Sequence, residues 1–272
     1  MMRAGQSRSI RIGYTAFSMA VIGFIVLPLI FIVWMSFYSN KILSFPPEGY
    51  TLDWYRRAWA LSDFRNGFFL SLRTSLIATV VALCLGLPAS FALVRGRFWG
   101  RETVSTVLMS PMVVPGIVGG SALFVFFLEV EFLTGWRVAG TSLGLIVAHS
   151  LIALPWMIRL VTTSLISVNP SIEEAARSLG AAPLTVFFRI TLPVIKPGLI
   201  AGSLFAFINS FIDLEKSIFL VGPDSTTLQI ALINYLEWNF DSTIGAVATV
   251  QIALITVLLL ITDRYAKLSR AF

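Results

Sequence analysis

Charged residues able to meet a partner gather in one stretch, SVNPSIEEAARSLGAAPLTVFFRITLPVIKPG, set between strongly apolar segments. Asn169 can cap a helix, Pro170 suits its first position, and Glu173 and Glu174 lie near the positive end of its dipole. Ala175 and Ala176 favour helix with almost no side-chain bulk, and Gly180 offers the left-handed turn that ends it. Pro183 begins a second helix, which Pro193 and Pro197 are expected to stop. The expected product is a two-helix knob over residues 168–197. Its alanines would admit the groove of another protein, while Glu174 and Arg177 make charged contacts at the rim. That is the chemistry of docking.

Elsewhere, reactive residue types are sparse. The single histidine, His149, has no Cys, Asp or Glu at ligand spacing, which favours a hydrogen-bonded packing role over metal binding. The single cysteine, Cys84, leaves no internal disulfide and no CxxC pair. No G-x-x-x-x-G-K-[ST] phosphate loop occurs, so this chain is not expected to bind or hydrolyse ATP itself; no other cofactor and no metal are expected on it. Two apolar segments are interrupted. SPMVVPGIVGGS carries Pro111, Pro115, Gly116, Gly119 and Gly120; the prolines can kink a helix, and Gly116 with Gly120 makes a GxxxG face, read either as close packing or as a bend in a solute pathway. Farther on stand Asn209, Ser210, Asp213, Glu215 and Lys216, where Asp213 either lines a pathway and attracts a cation or pairs with Lys216 three residues along. Candidate pathway residues are therefore Pro111, Pro115, Gly116, Asn209, Ser210 and Asp213.

The elements that must position these groups follow from hydropathy. Of 272 residues, 57% are hydrophobic and 12% charged, with a mean hydropathy of +0.85, a composition that belongs in a bilayer. A hydrocarbon core needs roughly 20 apolar residues per helix. Six stretches reach or approach that length: 12–37, 68–94, 104–128, 143–165, 198–220 and 244–261. They are apolar all round rather than alternating, so the expected fold is an all-α membrane protein with six transmembrane helices, not a β-barrel. The first span follows Arg3, Arg8 and Arg11 like a signal peptide, yet its length and its end in Trp34, Phe37 and Tyr38 read as an uncleaved anchor.

Most of the 20 Lys and Arg fall on one side of this topology: the N-terminus, Arg95, Arg97 and Arg101, then Arg159, Arg177, Arg189 and Lys196, then Arg264, Lys267 and Arg270. The positive-inside rule places both termini and the knob in the cytoplasm. The sequence pI near 9.8 reflects this bias, with no basic run interleaved with exposed aromatics, so no nucleic-acid partner is expected. On the outward side, acids such as Glu48, Asp63, Asp213, Asp224 and Glu237 outnumber bases such as Lys41, Arg56 and Arg73. The external segment 39–67 predicts a short interfacial helix with Leu52, Trp54, Tyr55, Ala58 and Trp59, serving either as an aromatic anchor or as a partner-docking surface.

Glu174, Ala175 and Ala176, then Gly180 after three residues, then Ile190, Leu192 and Pro193 after nine more, reproduce without departure the signature Glu-Ala-Ala…Gly…Ile-x-Leu-Pro. On these residues the chain resembles the permease subunits of ABC importers with the MetI-like fold. The resemblance covers the second to the sixth span, about 68–262, within a single permease domain 1–272. It implies a multi-pass inner-membrane protein that pairs with a second homologous permease, lies in lipid and receives solute from a periplasmic substrate-binding protein. It also implies an ABC ATPase dimer that carries ATP and Mg. Glu173, Glu174, Ala175, Ala176, Arg177, Gly180, Ile190, Leu192 and Pro193 would then couple ATPase closure to the spans. SPMVVPGIVGGSALF, FINSFIDLEKSIFLVGP and TTLQIALINYLEWNFDSTIGAVATV look like the polyamine, opine and phosphonate branch, spermidine and putrescine permeases above all. A secondary transporter is the alternative from a different class.

Overall fold

The computed structural model describes residues 8–40, 44–222 and 225–266. Arg3, Lys41, Asp224, Lys267 and Arg270, which entered the charge reading, lie outside the described residues. Among the described residues there is no strand, and six helices are long and apolar enough to cross a bilayer: Arg11–Met35, Ser62–Arg95, Gly116–Thr134, Ser142–Ile166, Pro183–Phe211 and Thr243–Arg264.

The chain divides into two compact units. One runs through Leu61 and adds Tyr235–Ala253. Its first helix, α1 (Arg8–Met35), exposes every described side chain from Arg11 to Phe31, as expected of a helix apolar all round and solvated by lipid. The chain then doubles back, with Thr51 N donating to Phe37 O at 2.8 Å and Ser39 N to Gly49 O at 2.9 Å. It enters α2 (Asp53–Ala60), the expected amphipathic helix, which buries Trp54 and Ala58. Trp54 Nε1 donates to Tyr38 O at 2.6 Å, so at least this indole is used to anchor the helix. In the same unit Arg57 Nη1 lies 3.2 Å from Asp241 Oδ2, which also accepts from the Tyr235 hydroxyl at 2.9 Å. Burial pushes that hydroxyl's pKa above its ordinary value.

The other unit, Ser62–Asn234 with the chain from Leu254 on, is built around α3 (Ser62–Arg95), α6 (Ser142–Ile166) and α9 (Leu192–Phe211), which pack against one another. In lipid no hydrophobic drive pulls helices together, so association rests on close van der Waals fit between small residues. The core accordingly pairs Ala78 and Ala82 of α3 and Ala206 of α9 with Ala153, Met157, Val161 and Leu165 of α6. Cys84 is exposed on α3 and takes no part in this core.

Two spans are more broken than their hydropathy predicts. In place of one third span over 104–128, α4 (Arg101–Met109) ends in a 3₁₀ turn at Ser110–Met112, Pro115 is extended, and α5 (Gly116–Thr134) starts afresh. Pro111 and Pro115 each lack a donor, and a proline disfavours helix in the residue before it, so two within five residues stop the helix rather than kink it. Likewise the fifth span ends at Phe211, leaves residues 212–216 non-helical, and resumes only as the one-turn α10 (Ser217–Leu220).

Pro193 and Pro197 act in the opposite sense to expectation. After α7 (Pro170–Ser178) and α8 (Pro183–Val186), a π turn at Phe187–Thr191 leads directly into α9, with Pro193 in its first turn and Pro197 inside it. The π turn resets the hydrogen-bond register, so Pro193 falls where a donor is dispensable. The second knob helix and the fifth span are therefore one helical run. Two more helices, α11 (Leu228–Trp238) and α12 (Thr243–Ala266), follow.

Candidate functional site

The two breaks face each other. A cavity of about 450 Å³ is lined by Pro111, Met112, Val114 and Gly116 from the first, Asn209 and Ile212 to Lys216 from the second, and Ile152 and Trp156 of α6. Four of the six pathway candidates, Pro111, Gly116, Asn209 and Asp213, thus meet at one cavity; Pro115 sits between lining residues, and Ser210 is buried behind the wall. The GxxxG face packs on the second break and the start of α10: a methyl added at Gly120 would lie 2.8 Å from Lys216 Cα and 2.9 Å from the Phe219 ring, and one at Gly116 would overlap the Glu215 carboxylate. Tight packing and a broken backbone beside a cavity, alternatives in the sequence, occur together at Gly116.

Asp213 both lines the cavity and holds the break in shape. Its Oδ2 accepts from Lys216 N at 3.2 Å and from Ser217 N at 3.1 Å, capping the start of α10, while Oδ1 lies 3.9 Å from Lys216 Nζ. Both side chains are largely buried, at 8% and 14% exposure. Behind them His149 of α6 places Nδ1 2.8 Å from Ser210 Oγ and Nε2 3.0 Å from Ser217 Oγ. Both ring nitrogens are engaged, which is the packing role weighed for this histidine, and the ring ties α6 to both ends of the break.

At the other end of α9 the knob takes shape. The Asn169 side chain accepts from Ser171 N at 3.1 Å, Pro170 opens α7, and Gly180 ends it at φ +86°, a conformation that favours glycine. Glu174, Ala175, Arg177 and Gly180 are exposed, Ala176 and Ile190 half-buried, Leu192 packed against the core of α3, α6 and α9, and Pro193 exposed. Glu173 differs from its neighbour. It is buried, with Oε2 3.2 Å from Arg95 Nε and Oε1 accepting from Thr191 Oγ1 at 2.9 Å.

Sequence reasoning missed two groups. Leu179 and Leu184 are 89% and 71% exposed on the knob; their signal was an apolar side chain in a polar loop too short to bury it. Trp156 stacks on Phe205 at 5.4 Å and lines the cavity. Nothing in the apolar fourth span distinguishes this tryptophan from a lipid-facing one.

Residues 82–269 match the family described as the binding-protein-dependent transport system inner membrane component. The chain belongs to this family. Among curated relatives it is 33% identical to the putrescine transport system permease protein PotI of Escherichia coli strain K12, over 83% of this chain and 80% of that one. It is 31% identical to the molybdenum transport system permease protein ModB of the same strain, over 74% and 93%. Its fold superposes with TM-score 0.73, at 19% identity and over 97% and 99% of the two chains, on a bacterial ABC transporter involved in the import of the acidic polysaccharide alginate. The protein is thus a multi-pass ABC importer permease, a membrane transport subunit, and the expectations of an all-α MetI-like fold and of an importer with polyamine-transporting relatives are met.

Proposed function

We propose that this permease forms part of a pathway for a small organic polycation, a polyamine such as putrescine or spermidine, and that a separate ABC ATPase drives it through the knob. The observation that carries the coupling is continuity. Pro183–Phe211 is one 29-residue helical run, roughly 40 Å long, with the exposed Leu184 near one end and Asn209 at the cavity near the other. A push on the knob moves the cavity wall without bending an intervening loop. The positive-inside bias supports a cytoplasmic knob and cytoplasmic termini. ATP and Mg then belong to the ATPase dimer, a second homologous permease supplies the facing half of the pathway, and a periplasmic protein delivers the solute.

For the solute, Asp213, Glu215 and the face of Trp156 around the cavity favour organic cations. Lys216 and the likeness to ModB favour an oxyanion as the second reading, but Asp213 already neutralises that lysine. The test is uptake of labelled putrescine, spermidine and molybdate into proteoliposomes holding the permease with its ATPase, companion permease and binding protein. Saturable, ATP-dependent polyamine uptake is expected; uptake of molybdate alone would overturn the cation reading. Loss of ATPase association in Leu179→Asp is expected as well, and unchanged assembly and uptake in that variant would remove the knob from the coupling path.

A further inference from the structure

We propose that Arg95, the last residue of α3, is the positioning residue that makes the knob rigid with the membrane core. The inference rests on reading residues 168–197 as the coupling segment and concerns how motion leaves it. Between α6, ending at Ile166, and α7, beginning at Pro170, lies a three-residue link, Ser167 to Asn169, about which an unsupported knob would swing. Arg95 spans that link. Its Nη2 donates to Val168 O at 3.0 Å and Leu165 O at 3.5 Å, and its Nε lies 3.2 Å from Glu173 Oε2. Glu173 passes the constraint on, since its other oxygen accepts from Thr191 Oγ1 of the π turn at 2.9 Å. Two side chains thus join α3, the end of α6, α7 and the root of α9.

The chemistry suits the positions. Leu165 and Val168 present carbonyls at the negative end of α6, the first of them also accepting from Val168 N at 3.2 Å, and a guanidinium can serve these and a carboxylate at once through separate N–H groups. Lysine presents its three donors from one nitrogen and lacks the planar fork that spans both directions. The ion pair is shielded, with exposures of 24% for Arg95 and 8% for Glu173, so it is not a screened surface contact. Motion delivered at Leu179 and Leu184 then displaces α3, α6 and α9 together instead of being lost in the link.

The test uses the complete importer in proteoliposomes and reads three quantities: ATPase association, ATP hydrolysis stimulated by the binding protein, and solute taken up per ATP. Arg95→Met and Glu173→Gln should keep association within about twofold while uptake per ATP falls about tenfold, in the range of energetic coupling between protein sites. Arg95→Lys should recover only part of it. Thr191→Val, which removes one hydrogen bond and no charge, should lower the ratio about threefold and decides the matter if Arg95→Met does not fold. An unchanged ratio in folded Arg95→Met, or in Thr191→Val, overturns the proposal, as does loss of ATPase association in step with uptake. The coupling reading fails separately, through Leu179→Asp assembling and transporting normally.

Discussion

Asp213 separates a structural from a transport role because asparagine keeps one and removes the other. Lys216 N and Ser217 N lie 3.2 and 3.1 Å from Asp213 Oδ2, and in Asp213→Asn the amide oxygen can accept from both, so the start of α10 should survive. What disappears is one negative charge 3.9 Å from Lys216 Nζ. At an effective dielectric constant near 20 that pair is worth about 4 kcal/mol before desolvation is charged against it. In the variant a cationic solute loses the carboxylate and meets an uncompensated ammonium. If only a third of the Coulomb term reaches the solute, about 1.4 kcal/mol, transport falls about tenfold. Asp213→Ala should add about 1 kcal/mol of lost capping and destabilise the permease as well. Lys216→Met should leave the carboxylate free for the solute and preserve or raise polyamine uptake. The assay is initial uptake by proteoliposomes at saturating binding protein, normalised to assembled importer. Uptake by Asp213→Asn within twofold of the parent would refute the reasoning, and so would equal losses in Asp213→Asn and Lys216→Met, which would make the pair purely structural.

The neighbouring glycines should differ sharply. Gly119→Ala meets only side-chain atoms at 3.6 Å or beyond and should be neutral, whereas Gly120→Ala presses on Lys216 Cα at 2.8 Å and should cost about 1–3 kcal/mol, read as a shorter half-life on heating in detergent. At Gly180 nothing lies within 4 Å of an added Cβ, so Gly180→Ala carries only the left-handed backbone penalty of about 1–2 kcal/mol and should weaken ATPase association about tenfold by pull-down titration. His149→Phe keeps the ring and removes both polar contacts, leaving Ser210 Oγ and Ser217 Oγ without their imidazole partner; a loss of about 1–3 kcal/mol is expected, measured as earlier thermal inactivation.

Hydropathy determined that six helices of this chain would be long enough to cross a bilayer, because twenty apolar residues have no other stable home in lipid. The Glu-Ala-Ala to Leu-Pro spacing determined which machine they serve. Local chemistry was equally legible where it acts within a few residues: the Asn169 cap, the Pro170 start and the Gly180 turn each answer a backbone need of their own helix. Prolines were read less well, since the same residue stops a helix at Pro111 and Pro115 yet rides inside one at Pro193 and Pro197. For Pro193 the difference is the π turn at Phe187–Thr191, which no single residue announces.

Glu173 and Glu174 mark the boundary most clearly. Side by side they are equivalent in charge, propensity and relation to the helix dipole, and the family resemblance placed both among the coupling residues. A helix turns about 100° per residue, so the two carboxylates point in different directions. Only the tertiary structure decides that the first meets Arg95, 78 positions earlier in the chain, while the second faces outward. A buried charge is tolerated only where its partner has been brought to it, and that depends on how α3, α6 and α9 pack.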